Sequence, residues 1–210
     1  NHDWLMKNIP INKYILKEWL KAGFISDNSL QATLTGVPQG GIISPTLANM
    51  VLDGLEELIE KIAKVIRNKQ MAINRKLKLP AHYNPKIHFV RFADDFLVTA
   101  GKIEYFDILK PEIEKFLVER GVQLNQEKTK IYKIEDGFDF VGFHFRKYYS
   151  TRRASKEILL AHPTKKNISK LKLNIRRFFK KFKSPIPLIS ALNPVLRGWA
   201  NYYRSVNASR

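Results

Sequence analysis

The chain has 210 residues, 44% of them hydrophobic, no cysteine and a formal net charge of +18. The hydrophobic fraction excludes a wholly disordered protein, and the lack of cysteine excludes a disulfide framework, a thiolate zinc site and a thiol nucleophile. No apolar run is long enough to cross a bilayer, and the first residues show no charged-then-apolar signal peptide. We therefore expect a cytosolic protein of one large or two small domains.

The positive charge is concentrated in the last third of the sequence. Residues 1–145 hold 20 Lys and Arg against 18 Asp and Glu, whereas residues 146–210 hold 17 against 1. A basic surface of that density needs a polyanion, and nucleic acid suits aromatic-rich helices better than an anionic membrane does. The composition predicts two domains, 1–145 and 146–210, of which the second binds nucleic acid.

The first 23 residues predict an amphipathic helix that ends at Gly23. Its predicted apolar positions are Ile11, Ile15, Trp19 and Leu20. The helix is interpreted as ordinary core packing.

A glycine- and proline-rich segment, residues 36–45, predicts a loop whose backbone a ligand can approach closely. Ser44 is a predicted N-cap, with Pro45 in the first turn of a long helix that extends toward Arg67. The alternative is a tight turn and a helix cap without a ligand. Residues 68–88 are polar and basic and predict a surface loop with some short helix.

Two apolar runs in residues 89–98 flank adjacent carboxylates and predict a β-hairpin with Ala93, Asp94 and Asp95 at its turn. Two carboxylates held at a hairpin tip can bind a hard divalent cation through oxygen, and Mg²⁺ is the first choice. The alternative is a solvated turn, because aspartate also favours turns for local reasons.

The segment after this hairpin predicts a second helix, broken or kinked at Pro111 and stopped by Gly121, and another strand that starts with Val122 and Leu124. Residues 130–134 and 138–145 predict a hairpin around Asp136 and Gly137. Two helices on one face of a mainly antiparallel sheet give an α+β fold.

From Arg146 the pattern predicts basic helices. Apolar residues at spacings of three and four between 168 and 182 predict a core stripe, and the remaining surface carries Arg176, Arg177, Lys180 and Lys181. Residues 184–187 predict a connector before a helix near Asn193. That helix is expected to bury Leu196, Trp199, Tyr202 and Tyr203, which as aromatics are more often core than base-stacking platforms.

In this order the motifs resemble those of reverse transcriptases encoded by group II introns. The resemblance is carried by Pro38-Gln39-Gly40-Gly41 with Ser44-Pro45, Phe92-Ala93-Asp94-Asp95, Lys128-Thr129, Phe140-Val141-Gly142-Phe143 and residues 196–204, which include Arg197. It implies a partial palm followed by a basic helical thumb or maturase domain.

The resemblance also implies roles for individual residues. Asp94, assisted by Asp95, would bind two Mg²⁺ ions; Lys128 would face the nucleotide phosphates and donate a proton to the leaving pyrophosphate. Pro38, Gln39, Gly40 and Gly41 would lie at the templating base and incoming nucleotide. Val141, Gly142 and Phe143 would support the primer end, and Arg176, Arg177, Lys180, Lys181 and Arg197 would bind RNA.

The expected partners are intron or template RNA, a DNA primer and deoxynucleoside triphosphates, in a bacterial cytoplasm or an organellar matrix. The family's other catalytic aspartate motif is absent from these 210 residues. We therefore expect the chain alone to bind RNA without polymerising, and a longer chain or a second polypeptide to supply the rest. An unpaired sheet edge would also favour a homodimer.

Two alternatives differ in function from an intron-encoded polymerase. One is a non-catalytic RNA-binding maturase that assists splicing and needs the basic helices but not the acids. The other is a reverse transcriptase of a retron, a diversity-generating element or a CRISPR locus, which residues 196–204 disfavour.

Overall fold

The computed structural model describes residues 1–26, 29–31, 36, 41–80, 82–150 and 156–206. Its helices are α1 (His2–Asn8), α2 (Lys13–Lys21), α3 (Ser44–Val51), α4 (Leu55–Lys76), α5 (Phe106–Glu119), α6 (Lys165–Lys181) and α7 (Pro185–Tyr203), with a 3₁₀ turn at Ile103–Tyr105. Its strands are β1 (Phe24–Ser26), β2 (Ser29–Gln31), β3 (His88–Phe92), β4 (Asp95–Thr99), β5 (Phe138–Phe140), β6 (Phe143–Ser150) and β7 (Lys156–Pro163).

The chain divides into two compact units, Asn1–Thr129 and Lys130–Arg210. Residue 145, the last residue of the predicted first domain, lies within β6 of the second unit. The division of the sequence into domains 1–145 and 146–210 stays a prediction.

The N-terminal helix of the first unit is two helices, not one. Residues 9–12, which include Pro10, separate α1 from α2. The buried residues of α2 are Leu16 and Leu20, whereas Ile15 and Trp19 are 43% and 38% exposed. The predicted end at Gly23 is confirmed, because α2 ends at Lys21 and Gly23 has a positive φ of 70°. These helices pack with Leu47 and Val51 of α3 in one small core.

The helix predicted from Pro45 toward Arg67 is also two helices. Gly54 has a φ of 84°, a left-handed conformation that ends the turn after α3 and precedes α4. Glycine adopts this conformation without the steric cost of a Cβ. α4 continues to Lys76, so the first nine residues of the predicted 68–88 loop are helical.

The main core of the first unit lies between α4, α5 and the β3–β4 hairpin. Leu55 and Ile59 of α4 meet Leu109 and Leu117 of α5, and Phe89, Phe96 and Val98 of the hairpin are among the residues that pack against them. The predicted α+β layer of helices on one sheet face is therefore confirmed here. α5 continues through Pro111 without a break.

A tyrosine pair closes the side of this core. The hydroxyl of Tyr83, in the segment before β3, is hydrogen-bonded to that of Tyr105. Tyr105 is buried, and this burial, with the Tyr83 hydrogen bond, raises its pKa to about 12.

The sheet of the second unit differs from the predicted one. β5, β6 and β7 form an antiparallel sheet in that order, with Phe140 opposite Phe143 and His144 opposite His162. The predicted hairpin around Asp136 and Gly137 is wrong, since residues 130–133 form no strand; the predicted strand at Val122–Leu124 is also absent. β6 and β7 occupy much of residues 146–163, where helix was expected.

Helices begin at residue 165 and complete the second unit. α7 starts at Pro185, so residues 185–187 are its first turn and not a connector, and it runs through Pro194. Tyr203 is buried as predicted, whereas Leu196 and Tyr202 are 37% and 49% exposed. None of the described helices is long and apolar enough to span a membrane.

Candidate functional site

The predicted acidic hairpin is confirmed. β3 and β4 are antiparallel, with Phe92 opposite Asp95, which leaves Ala93 and Asp94 as a two-residue turn. Ala93 has a φ of 54°, in the left-handed region that non-glycine residues rarely occupy. The side chains of Asp94 and Asp95 are both exposed. The fold thus presents two adjacent carboxylates at one end of a short ribbon.

The ribbon behind this turn is fixed by aromatic packing. The rings of Phe89 and Phe96 lie 5.8 Å apart on one face of the hairpin, and both pack on the core between α4 and α5. Val90 and Phe92, on the other face, are 50% and 61% exposed. The hairpin behind the tip is therefore packed against the core on one face and exposed on the other.

Arg91 connects the tip to α3, and sequence reasoning did not identify it. Its Nη1 donates hydrogen bonds to Asn49 Oδ1 at 3.1 Å and to the carbonyl of Ala93 at 3.3 Å. Asn49 belongs to the helix that begins directly after the glycine-rich segment. The signal available in the sequence was a cation three residues before Asp94, on the strand that leads into the turn.

The glycine-rich segment is described only in part. Pro38, Gln39 and Gly40 lie outside the described residues, so their predicted positions stay predictions. The Gly41 carbonyl accepts a hydrogen bond of 3.1 Å from the backbone of Ser44 at the start of α3. Pro45 is in the first turn, as expected, but the N-cap position is Ile43 and not Ser44.

The acids fit magnesium in chemistry but form only a partial ligand set. Among the described residues, no group of three or more Asp, Glu, His or Cys side chains converges on a metal position. Mg²⁺ is commonly held by one or two carboxylates together with substrate phosphates, so Asp94 and Asp95 match the protein's share of such a site.

Lys128 lies in a turn. Its backbone N–H donates to both the carbonyl and the side-chain oxygen of Asn125, each at 3.1 Å. Gln126 in the same turn donates to Glu114 of α5 at 3.4 Å. The Lys128 side chain is exposed, and no hydrogen bond within the described ranges joins it to Asp94 or Asp95.

In the second unit, Val141 and Gly142 form the turn between β5 and β6. Both have positive φ, 47° and 79°, as the tight hairpin turn compatible with strand twist requires. A Cβ on Gly142 would lie 2.7 Å from the Asn167 amide nitrogen and 3.3 Å from the Tyr203 hydroxyl. Only glycine fits here.

Side chains from both helices hold this turn in place. Tyr202 donates to the Val141 carbonyl at 2.8 Å, and Tyr203 donates to the Gly142 carbonyl at 3.1 Å. Asn167 of α6 donates to the Tyr203 hydroxyl at 2.8 Å. The ring of Phe143 stacks on Tyr202 with centroids 5.1 Å apart. Hydrogen bonds and a ring contact therefore join the turn to α6 and α7.

α6 carries the charge of this unit. Eight of its 17 residues are Lys or Arg and none is acidic. All eight are exposed, including Arg176, Arg177, Lys180 and Lys181, and Arg197 is exposed on α7. Exposed cations without acidic neighbours on their helix are free to bind phosphate.

Comparison with known proteins agrees with both halves of the sequence pattern. Residues 2–145 match the family model for reverse transcriptase (RNA-dependent DNA polymerase). Residues 168–210 match the model for the group II intron maturase-specific domain.

Three curated proteins illustrate the likeness. In an alignment of 264 positions, gaps included, the chain is 25% identical to the group II intron-encoded protein LtrA of Lactococcus lactis subsp. cremoris. The alignment covers 94% of this chain and 44% of that protein. In an alignment of 247 positions, gaps included, it is 27% identical to an uncharacterized 91 kDa protein in the cob intron of Schizosaccharomyces pombe. The alignment covers 92% of this chain and 31% of that protein. It is 29% identical over 140 residues to protein YkfC of Escherichia coli, covering 61% and 37%.

The chain thus spans less than half the length of each of these relatives. Because the reverse transcriptase model matches well over half of the chain, the protein belongs to the reverse transcriptase family.

Proposed function

We propose that this chain is the part of a group II intron-encoded reverse transcriptase that carries the paired acids and an RNA-binding maturase region. The observation that carries the proposal is the Asp94–Asp95 tip, joined by Arg91 and Asn49 to the helix that follows the glycine-rich loop. The RNA-binding part rests on α6, with its eight exposed cations.

In the proposed reaction, a nucleotide is added to a DNA primer on an RNA template. Asp94 is the principal metal ligand and Asp95 assists; bound magnesium ions would neutralise the charge of the reacting phosphates. Arg91 does not touch substrate in this assignment. It is a positioning residue that fixes the tip carbonyl at Ala93 relative to α3.

The remaining residues have supporting roles in the proposal. Pro38, Gln39, Gly40 and Gly41 border the templating base and incoming deoxynucleotide. Lys128 faces the triphosphate and gives a proton to the leaving pyrophosphate. Val141, Gly142 and Phe143, held by α6 and α7, position the primer end.

Primer extension on an RNA template with magnesium and deoxynucleotides tests the catalytic assignment. We expect the 210-residue chain alone to bind RNA but not to extend the primer, because two carboxylates are a partial ligand set for two metals. We expect synthesis when a polypeptide carrying a further acidic strand is added, and its loss with Asp94→Ala. Robust synthesis by the chain alone would contradict the first expectation, and synthesis that survives Asp94→Ala would contradict the second.

The match of residues 168–210 to the maturase-specific domain favours a second function, assistance of intron splicing without polymerisation. This function needs the cations of α6 and not the acids. Splicing assistance should survive Asp94→Ala and be lost when Arg176, Arg177 and Lys180 are changed to Glu. The same match favours an intron-encoded protein over a retron, a diversity-generating element or a CRISPR-associated enzyme. An intron-encoded protein of this kind would be located in a bacterial cytoplasm or in an organellar matrix.

The acidic hairpin also suggests how a second polypeptide would join. Among the described residues, β3 and β4 pair only with each other, so each has an outer edge without a strand partner. An added strand from another segment or from a second copy of the chain would satisfy those backbone groups. Light scattering of the purified chain across concentrations tests the homodimer: a constant monomer mass would exclude it.

A further inference from the structure

A groove of about 520 Å³ separates the facing sides of α6 and α7. It opens beside the Val141–Gly142 turn, and its lining includes Lys170 and Asn174 of α6 and Gly198, Trp199 and Tyr202 of α7. Its volume is in the range of small-molecule and cofactor sites.

The groove is larger than an ordinary packing defect. Protein interiors are close-packed, and voids above the size of a water molecule are few. Gly198 faces this free space, since a Cβ built at Gly198 would meet no atom within 4 Å. Because glycine is a poor residue for a helix interior, its position within the C-terminal third of α7 favours a surface that leaves space for a ligand.

Two polar groups along the groove have no partner. The Trp199 indole Nε1 is buried and makes no hydrogen bond, and the Asn174 amide makes none within the part of the chain that the structure describes. Buried polar groups are normally hydrogen-bonded. Asn167, by contrast, is occupied by Tyr203 and the Gly142 carbonyl. The half-buried Asn174 amide is therefore available to a ligand that carries hydrogen-bonding groups, whereas the Trp199 nitrogen is shielded and Trp199 offers its ring to the groove.

The charge around the groove selects an anion. Lys170 lies on its rim and is exposed, and residues 158–210 contain no Asp or Glu. A ligand that combines a negative charge with a flat, hydrogen-bonding ring would use both features. An unpaired nucleotide has these properties, since RNA-binding proteins take splayed-out bases by stacking and by hydrogen bonds to base edges.

We propose that the groove between α6 and α7 binds one unpaired nucleotide of an RNA strand, with its phosphate at Lys170, its base against the Trp199 ring and its base edge at Asn174. The inference rests on the proposed RNA-binding function and narrows it, because it assigns a preference for bulged over fully paired RNA. In this proposal the exposed cations of α6 provide affinity for any RNA, and the groove provides the preference for bulged RNA.

Two RNA hairpins test the proposal with the full chain: one carries a single bulged 2-aminopurine, and the other has the same residue paired. We expect the bulged RNA to bind about tenfold more tightly, with quenching of its fluorescence, because a stacked base adds that order of affinity. Gly198→Leu should fill the groove and remove the preference. Ala200→Leu, an equal enlargement at an exposed position on the same helix, should leave it unchanged.

Asn174→Ala provides a second variant that does not enlarge the helix interface, and it should reduce the preference without changing binding of the paired RNA. Equal binding of both hairpins by the unaltered chain, with the usual salt dependence, would overturn the groove assignment alone. No binding of either hairpin would overturn the proposed RNA-binding function as well. Adenosine monophosphate as a competitor separates the sources of the ligand: displacement of the bulged RNA by the free nucleotide at comparable affinity would overturn the assignment to an RNA strand.

Discussion

The two units differ in net charge and in the number of hydrophobic side chains that they bury. Asn1–Thr129 contains 18 basic and 15 acidic residues, a net charge of +3, whereas Lys130–Arg210 contains 19 and 4, a net charge of +15. Of the fifteen buried hydrophobic side chains among the described residues, Tyr203 alone belongs to the second unit. The first unit has a buried core that supports the β3–β4 hairpin, whereas the helices of the second unit are largely exposed.

The contrast separates two physical properties within one chain: core packing that supports an acidic turn, and a dense positive charge on exposed helices. Like charges on a compact unit repel each other and lower its stability. A polyanion that binds only the folded form stabilises it. The second unit is therefore expected to depend on its ligand for stability more than the first does.

The largest expected effect comes from a matched pair of leucine substitutions. Leu109→Ala in the first unit should lower the free energy of unfolding by about 3 kcal/mol, because it empties a fully buried position. Leu173→Ala on α6, where the side chain is 48% exposed, should cost less than about 1 kcal/mol. Urea unfolding with peptide-resolved hydrogen exchange would measure both. Equal losses would contradict the contrast between the units.

A pair of glycine substitutions tests the importance of the hydrogen bonds around the Val141–Gly142 turn for the stability of the second unit. Gly142→Ala should destabilise this unit by about 2–3 kcal/mol, since a left-handed alanine is strained and its Cβ would collide with Asn167. Gly198→Ala faces open space and should be neutral or stabilising by up to about 1 kcal/mol. Faster hydrogen exchange in β5 and β6 for the first variant only would confirm the difference.

Charge reversal at matched helix spacings tests where RNA binds. Arg177→Glu with Lys180→Glu on α6 should weaken RNA binding by roughly ten- to a hundredfold and flatten its salt dependence, because two phosphate contacts become repulsions. Lys61→Glu with Lys64→Glu on α4 has the same spacing and should have a much smaller effect. Fluorescence anisotropy over a series of salt concentrations gives both quantities. A stronger effect from the α4 pair would place the RNA on the first unit instead.

The smallest expected effect is a pH dependence confined to the first unit. The pKa of Tyr105 is raised to about 12 by burial and the Tyr83 hydrogen bond, whereas an unfolded tyrosine has a pKa of about 10. Between these values the folded chain keeps a proton that the unfolded chain releases, so stability falls as pH rises from about 10 to about 12.

Tyr105→Phe should make that decline shallower in urea unfolding at a series of alkaline pH values. Tyr14→Phe is the matched control, because Tyr14 is 75% exposed. A decline unchanged by Tyr105→Phe would show that other groups cause it.

Short-range signals in the sequence predicted the parts of the structure that depend on few residues. The β3–β4 hairpin was predictable because apolar runs flank a turn, and α6 was predictable from its apolar spacing. The split at Gly54 was missed because the apolar stripe continues across it. Strand β7 was missed because the surrounding positive charge was interpreted as the start of a helical region.

Other features depended on tertiary contacts and gave little local signal. Residues 130–134 alternate like a strand, but β6 pairs with β7, and Lys147 donates only a single backbone hydrogen bond to Ile134. The bond from Arg91 to Asn49 joins residues 42 positions apart, and the Tyr202 bond to Val141 spans 61. Pairings at such separations have no periodic pattern in the sequence.

The left-handed Ala93 has a consequence for the proposed cation site. Glycine would adopt this φ freely and leave the turn loose, whereas alanine tolerates a narrow range of backbone angles there. The strain, about 1–2 kcal/mol for a residue of this kind, is accepted in the folded state. What is gained is a restricted backbone beside both aspartates, so that in the proposed magnesium site less conformational entropy would be lost on coordination.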